Sequence, residues 1–174
     1  MNRGRNIKII TLGETGVGKT SIIHRICKNE FREHVPPIYG FDEEELTKEY
    51  NKEKIKTTLF FTDTAGQERF SELPKPYIRD CHIALLVFSD IKSLEAIENK
   101  WNKYYKNIFK IEFTKFIVVA NKSDTFGANR DEIIKRGKKF AEEIDNSSFI
   151  TISAKSTDNI DNLEKILLTY QMEQ

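Results

Sequence analysis

Cysteine is scarce in this chain of 174 residues, and the two that occur, Cys27 and Cys81, are too few for a disulfide scaffold or a zinc site. We interpret both as reduced thiols packed as small apolar groups, which indicates a reducing compartment, the cytosol. Glycine and proline are also few, at eight and four residues. These low counts exclude collagen-like, proline-rich and low-complexity chains.

The chain also lacks an excess of positive or negative residues. The 28 Lys and Arg residues nearly balance the 27 Asp and Glu residues, so the formal net charge of +1 gives no general attraction to nucleic acid. The longest apolar run, Ile83–Phe88, has only the length of a strand, far short of the ~20 residues of a membrane helix. The chain shows no signal peptide, myristoylation site or prenylation cysteine. We expect a cytoplasmic protein with no membrane anchor in this chain, which reaches membranes only through a missing tail or a partner.

Short apolar runs alternate with longer amphipathic segments, which is typical of helices covering a mostly parallel sheet. The runs show little polar alternation, as expected for strands buried on both faces. The predicted strands are Ile7–Leu12, Leu59–Phe61, Ile83–Phe88, Phe116–Ala120 and Phe149–Ile152, with a polar edge strand at Glu43–Tyr50 that turns near Asn51–Lys54.

Apolar residues at three- and four-residue steps predict the helices between these strands. The first helix runs from about Gly18 to Asn29, and the next has Ser93 as its N-cap. The apolar faces of the later helices are Leu94, Ile97, Trp101, Tyr104 and Ile108, then Ile133, Gly137, Phe140 and Ile144, then Ile160, Leu163, Leu167 and Tyr170. No repeat or linker interrupts this order, so we expect one domain.

The segment between the first strand and the first helix matches the phosphate-binding pattern of two glycines spaced by four residues and followed by Lys and Thr. Glycine permits the turns that bring several backbone N–H groups onto phosphate oxygens, and the helix directs its positive N-terminal end at the anion. We predict that Lys19 contacts the terminal phosphates and that Thr20 binds Mg²⁺. The predicted phosphate-binding residues are Gly13, Glu14, Thr15, Gly16, Val17, Gly18, Lys19, Thr20 and Ser21.

Three further motifs follow predicted strands, at the edge where open α/β sheets bind ligands. In the first, the Asp63 carboxylate can hold the Mg²⁺ shell, the Gly66 N–H can contact a γ-phosphate and Gln67 can orient an attacking water. Lys19 and Gln67 are therefore the predicted catalytic residues, and Thr20 and Asp63 the predicted metal ligands. The other two motifs are Asn121-Lys122-Ser123-Asp124 and Ser153-Ala154-Lys155.

With these motifs in this order, the sequence resembles the Ras-superfamily small GTPases over essentially its whole length. Within them it is most similar to the Rab family, whose form the segment Asp63-Thr64-Ala65-Gly66-Gln67-Glu68-Arg69-Phe70 carries. The resemblance implies the P-loop NTPase fold of a G domain over residues 1–174: an α/β structure with a six-stranded, mostly parallel sheet and helices on both faces. It also implies slow hydrolysis of GTP to GDP in a molecular switch for vesicle trafficking. Mg²⁺ would be the cofactor, and the partners would be an exchange factor, a GTPase-activating protein and effectors.

The resemblance further implies how guanine is recognised. Asp124 would accept hydrogen bonds from the ring N–H and the amino group together, a match that adenine does not offer. Lys122 and Lys155 would lay their aliphatic stems along the two faces of the base. The remaining implied roles are a brace on the phosphate loop from Asn121, a bond from the Ala154 N–H beside Ser153 to the guanine carbonyl, and a contact of Phe31 with the base edge.

One segment departs from the family pattern. Between Phe31 and Phe41 the chain has no Ser or Thr, where the family has a Mg²⁺-binding threonine near Pro37 or Ile38. We expect weaker sensing of GTP by this loop, because a metal ligand is missing and proline stiffens the backbone. Substitution by the backbone or by Tyr39 is the alternative.

Two other functions remain open. In a guanine-nucleotide-binding interaction module the nucleotide would mainly stabilise the fold; the missing threonine favours this, and the intact Gln67 argues against it. A P-loop kinase would leave Asn121–Asp124 and Ser153–Lys155 unexplained.

Overall fold

Strands and helices alternate along the part of the chain that the computed structural model describes, residues 4–36, 41–50, 55–64, 78, 80–109 and 112–170. The strands are β1 (Arg5–Leu12), β2 (Phe41–Tyr50), β3 (Ile55–Thr64), β4 (Ile83–Phe88), β5 (Lys115–Ala120) and β6 (Ser147–Thr151). The helices are α1 (Lys19–Lys28), α2 (Ile91–Lys100, continued by a π-helical turn at Trp101–Tyr105 and by Lys106–Ile108), α3 (Arg130–Glu142) and α4 (Ile160–Thr169). Short 3₁₀ turns lie at Ser123–Thr125 and Gly127–Asn129.

The strands form one six-stranded sheet in the order β2-β3-β1-β4-β5-β6. Only β2 runs antiparallel to its neighbour, β3, and the other pairs are parallel. The predicted edge strand is confirmed, while its predicted turn at 51–54 lies outside the described residues. The carboxyl ends of the five parallel strands therefore meet at one edge of the sheet, where the predicted motifs lie.

Each face of the sheet carries its own apolar cluster. One cluster joins β1, β3, β4 and β5 to α1 and α4, and the other joins β1, β4 and β5 to α2 and α3. Every residue of β4 is buried, because both clusters cover it. The fold confirms the prediction of a mostly parallel sheet with helices on both faces.

Strand β3 differs from the prediction of burial on both faces. Leu59 and Phe61 are buried against the cluster of α1 and α4, while Phe60 between them is 36% exposed on the opposite face. This position lies toward the β2 edge of the sheet, where the cluster of α2 and α3 does not include β3 in the described part of the chain.

Helix α2 begins at Ile91, and its N-cap is Asp90. The Asp90 carboxylate accepts a hydrogen bond from the Ser93 N–H at 2.8 Å, and the Ser93 hydroxyl accepts one from the Asp90 N–H at 3.1 Å. The prediction of Ser93 as N-cap is wrong, because Ser93 is the third residue of the helix and completes a reciprocal capping box.

The π-helical turn changes which tyrosine faces the core. Tyr105 is fully buried, whereas Tyr104 is 46% exposed. The prediction of Tyr104 on the apolar face is wrong, because it assumed an uninterrupted period of 3.6 residues, and a π turn holds more residues. Trp101 opens this turn and packs edge-on against Phe116 of β5, with ring centroids 4.9 Å apart.

Both cysteines are free thiols. Burial raises the pKa of Cys81 to about 12 and that of Cys27, which is partly buried beside Glu44, to about 11. Both groups therefore stay protonated at neutral pH, as predicted for thiols that pack as small apolar groups. Within the described ranges, no helix has the length and hydropathy needed to cross a membrane.

Candidate nucleotide site

The loop between β1 and α1 is shaped by glycines at positive φ. Gly13 has a φ of 153°, and a Cβ there would lie 2.2 Å from the Val87 carbonyl oxygen. Gly18 has a φ of 94°, and its Cβ would lie 2.3 Å from Nδ2 of Asn121. At both positions the positive φ and the lack of space for a Cβ exclude a side chain. The two glycines therefore allow the loop to approach β4 and the loop after β5 closely.

The Lys19 ammonium lies inside this loop. Lys19 is only 5% exposed, and its Nζ donates hydrogen bonds to the carbonyl oxygens of Gly13 at 3.0 Å and Glu14 at 3.1 Å. The Glu14 carboxylate forms an ion pair with Lys100 at the end of α2. The loop thus carries a fixed buried cation, with its one carboxylate drawn toward a neighbouring helix.

Thr20 and Asp63 meet at the base of the loop. The Thr20 hydroxyl donates to one Asp63 oxygen at 2.5 Å, and the Thr11 hydroxyl donates to the other at 3.1 Å. Burial raises the pKa of the Asp63 carboxyl, and the bonds from both threonines and the nearby charge of Lys19 oppose that rise. The predicted metal ligands therefore lie together.

This donor set fits Mg²⁺. A hydroxyl and a carboxylate supply the hard oxygen ligands that Mg²⁺ prefers, and Mg²⁺ sites in phosphate-transfer proteins use one or two such groups. The carboxylate of Asp63 is buried, so a nearby cation stabilises its charged form. The described residues contain no cluster of three or more His, Cys, Asp or Glu side chains arranged for a metal.

The loop after β5 is tied to the phosphate loop. Asn121 is buried, and its Nδ2 donates to the Val17 carbonyl oxygen at 2.9 Å. Lys122 has a φ of 62°, and its Nζ donates to the Gly16 carbonyl oxygen at 2.6 Å. The structure thus brings Asn121 and Lys122 onto the loop that Asn121 was predicted to brace.

The loops after β5 and β6 are tied to each other. The Ser153 hydroxyl donates to Asp124 at 2.5 Å, and the Ala154 N–H donates to the Asn121 side-chain oxygen at 3.2 Å. A third bond between these loops runs from the Ser123 hydroxyl to Asp158 at 3.1 Å. Asp124 itself is exposed, so its carboxylate is accessible to a further donor.

One residue of the predicted base site contacts the loop after α1, and another lies in this loop. Lys155 is exposed and forms an ion pair with Glu33 at 2.9 Å, which raises the pKa of Lys155 and lowers that of Glu33 through their hydrogen bond. Phe31 is half-buried and packs against the apolar cluster of α1 and α4. The loop therefore starts next to the predicted base site.

The remaining predicted residues fall in two groups. Thr15 and Gly16 are exposed, Val17 is buried, and Ser21 is half-buried in the first turn of α1. Gly66, Gln67 and the segment at Pro37 and Ile38 lie outside the described residues, so their predicted roles stay predictions.

Three polar contacts at the site were not predicted. Thr11 supports Asp63; its signal in the sequence is a polar residue inside an apolar strand. Arg25 of α1 donates through Nε to the Ala154 carbonyl oxygen at 2.9 Å, and Lys100 pairs with Glu14. Neither of these two residues belongs to a local motif, so only the folded chain reveals them.

The fold and the glycine-containing loop between β1 and α1 are those of a P-loop nucleotide-binding protein. The sequence matches the family model described as "Ras family" over residues 8–172. Similar known proteins include the Ras-related protein RabC of Dictyostelium discoideum, 36% identical over 92% of this chain and 81% of RabC. The GTP-binding protein yptV5 of Volvox carteri is 32% identical over 90% of this chain and 78% of its own length. The Ypt/Rab-type GTPase YPT7 of Saccharomyces cerevisiae is 31% identical over 92% and 79%.

The chain belongs to the Ras family and is a Rab-like small GTPase, a GTP phosphohydrolase. Members of this family bind GTP and GDP with Mg²⁺ and act with regulators and effectors. The resemblance inferred from the sequence is confirmed at the level of the family and of the fold.

Proposed function

We propose that the residues described above form the guanine-nucleotide site of a slow GTP hydrolase. One observation supports this most directly: hydrogen bonds join the phosphate loop, Asp63, Asn121–Asp124 and Ser153–Lys155 into one network at the carboxyl edge of the sheet. These motifs are far apart in sequence, and each matches a separate part of a nucleotide.

The residues of this chain would act on the nucleotide mainly by holding charges and donors in fixed positions. Lys19 places a buried positive charge where the terminal phosphates would lie, and the glycine turns leave room for backbone N–H groups to bind phosphate oxygens. Thr20 and Asp63 would hold Mg²⁺, which supplies the positive charge that offsets the phosphates when bound. Gln67 would orient the attacking water, and no covalent intermediate is needed.

Turnover is expected to be slow, because most GTPases of this kind reach high rates only when an arginine from a partner stabilises the transition state. The test is single-turnover hydrolysis of γ-labelled GTP by the wild type and by Gln67→Leu. We expect slow phosphate release from the wild type and much slower release from the variant at equal nucleotide occupancy. Equal rates would contradict the role of Gln67, and failure to retain GTP in preference to ATP would contradict the site itself.

A second candidate function is an interaction module in which the loop after α1 does not sense GTP. The absence of Ser and Thr from Phe31 to Phe41 favours it, and the ion pair of Glu33 with Lys155 links this loop to the base side of the site. Amide hydrogen exchange of Arg32–Val35 should then be similar with GDP and with a non-hydrolysable GTP analogue. Strong protection with the analogue alone would rule this candidate out.

We also propose that this chain works with an exchange factor, a GTPase-activating protein and effectors in vesicle trafficking, as its similarity to Rab and Ypt proteins supports. Pull-downs with the Gln67→Leu and Thr20→Asn variants would test this, because effectors should favour the first and an exchange factor the second. Equal recovery of every partner on both variants would contradict nucleotide-dependent partner choice.

A further inference from the structure

Arg25 connects the helix that begins at the phosphate loop with the loop that follows β6. Its Nε donates to the Ala154 carbonyl oxygen at 2.9 Å, and its Nη1 donates to the backbone and side-chain oxygens of Asn29 at 2.8 and 3.2 Å. Asn29 is the C-cap of α1, with a φ of 54°. One guanidinium thus fixes the end of α1 and a peptide group of the Ser153–Lys155 motif at once.

The geometry points to a role for this contact. We infer that Arg25 is a positioning residue for guanine recognition: it holds the Ala154–Lys155 peptide so that the Lys155 N–H faces the 6-oxo group of the base. The inference rests on the proposed guanine site and deepens it.

The argument follows from the planarity of the peptide bond. In a trans peptide the C=O and N–H point in opposite directions, so a donor that fixes the Ala154 carbonyl also fixes the direction of the Lys155 N–H. On the other side, the Ala154 N–H is held near the Asn121 side-chain oxygen at 3.2 Å. Both peptide groups that flank the Ala154 Cα therefore have defined orientations before a base arrives.

Arginine suits this role better than lysine. Its planar guanidinium donates in two directions from one rigid plane, whereas the lysine ammonium has no fixed arrangement of donors. Arg25 is half-buried, and its bond to the Ala154 carbonyl oxygen is partly protected from competition with water. The same plane also ties Ala154 to the start of the loop that carries Phe31, since Asn29 closes the helix just before that loop.

The experiment measures release of fluorescently labelled GDP, together with the relative affinities of GDP and 6-thio-GDP. Sulfur is a weaker acceptor than oxygen, so the wild type should prefer GDP. Arg25→Ala should release GDP about 10-fold faster and show a smaller preference for GDP, because the Lys155 N–H loses its fixed direction. Arg25→Lys should recover part of the preference, because its ammonium keeps a charged donor but not the rigid planar fork.

Arg136→Ala is the matched control. Arg136 lies on α3 and pairs with Glu95 and Glu98 of α2, on the opposite face of the sheet. This variant should keep the wild-type release rate and preference. A purely structural role of Arg25 would lower the melting temperature of Arg25→Ala yet leave the preference between GDP and 6-thio-GDP unchanged, and that result would overturn the inference.

The experiment distinguishes failure of the proposed function from failure of the inference about Arg25. If the wild type itself does not bind GDP, the proposed function fails and the inference fails with it. If the wild type binds GDP and prefers it to 6-thio-GDP, while Arg25→Ala behaves like Arg136→Ala, only the role of Arg25 is refuted.

Discussion

The Asp124 carboxylate and the Ser153 hydroxyl are joined by a hydrogen bond of 2.5 Å across two loops that follow different strands. This bond aligns Asp124 through one of its oxygens and leaves the exposed carboxylate able to accept donors from a base. The residue predicted to select guanine is therefore held by the motif predicted to contact the same base.

Replacing Asp124 by Asn should change the preferred base. Xanthine presents a carbonyl where guanine has its amino group, so an amide donor at this position favours xanthine nucleotides. We expect the ratio of GTP to XTP affinity to fall by at least about 100-fold in Asp124→Asn, measured by competition. Asp158→Asn is the control, since Asp158 accepts from Ser123 in the same loops without a predicted base contact, and its ratio should stay as in the wild type. An unchanged ratio in Asp124→Asn would refute the assignment.

Replacing Thr20 by Asn should weaken GTP binding more than GDP binding when Mg²⁺ is present. GTP carries more charge next to the metal and depends more on it for neutralisation. Calorimetry with and without Mg²⁺ measures the difference, and Thr20→Ser, which keeps the hydroxyl that bonds Asp63, should behave like the wild type. An equal loss of affinity for both nucleotides would argue that Thr20 is not a metal ligand.

Removing the charge of Lys100 should weaken nucleotide binding although this residue lies on α2. Its partner Glu14 is part of the phosphate loop, and an uncompensated carboxylate there repels phosphate. We expect Lys100→Met to lower GDP affinity by roughly 3- to 10-fold, and Glu14→Gln in the same chain to restore it. Lys103→Met, on an exposed neighbouring position, is the control. A double variant as weak as Lys100→Met would show that the charge of Glu14 is irrelevant.

His82 should make the folded state less stable in mild acid. Its Nδ1 accepts a hydrogen bond from the Lys8 backbone N–H at 2.9 Å, and burial, together with the charge of Lys8, lowers the pKa of His82 against the attraction of Asp80. The unfolded chain therefore binds this proton more readily. The stabilising contribution is complete above about pH 6.5 and is lost as the pH falls through the lower pKa of the folded state.

Urea unfolding at about pH 7.5 and about pH 5.5 tests this difference. His82→Asn keeps an acceptor at the position of Nδ1 but does not ionise, so its stability should decline less between the two pH values. The same decline in both proteins would assign the effect to other groups.

The two tyrosines of the π-helical turn should respond very differently to truncation. Tyr105→Ala removes a fully buried ring and should lower the free energy of unfolding by about 3–5 kcal/mol. Tyr104→Ala removes a ring that is 46% exposed and should cost less than about 1 kcal/mol. Chemical denaturation of both variants measures this, and the reverse order of stabilities would mean that the helix has no π turn in solution.

Much of the fold and of the site could be predicted because the relevant signals are local. Ile83–Phe88 is a strand of the predicted length, and the helix after the phosphate loop ends within one residue of the predicted position. The predicted boundaries of β3 are too narrow, because polar residues such as Thr57 and Thr62 are not typical of a buried strand. Ser93 was misplaced because a Ser suits both the N-cap and the third position of a capping box.

The sequence by itself determined the order of strands and helices, because apolar periodicity acts over a few residues, and its short motifs carried the resemblance to the family. Only the tertiary structure decided which tyrosine enters the core, since a change of helix type leaves no mark in the periodicity. It alone joined Arg25 to Ala154, which are 129 residues apart, and Lys100 to Glu14, 86 residues away. Such contacts depend on how the helices lie across the sheet, and no pattern among neighbouring residues encodes that packing.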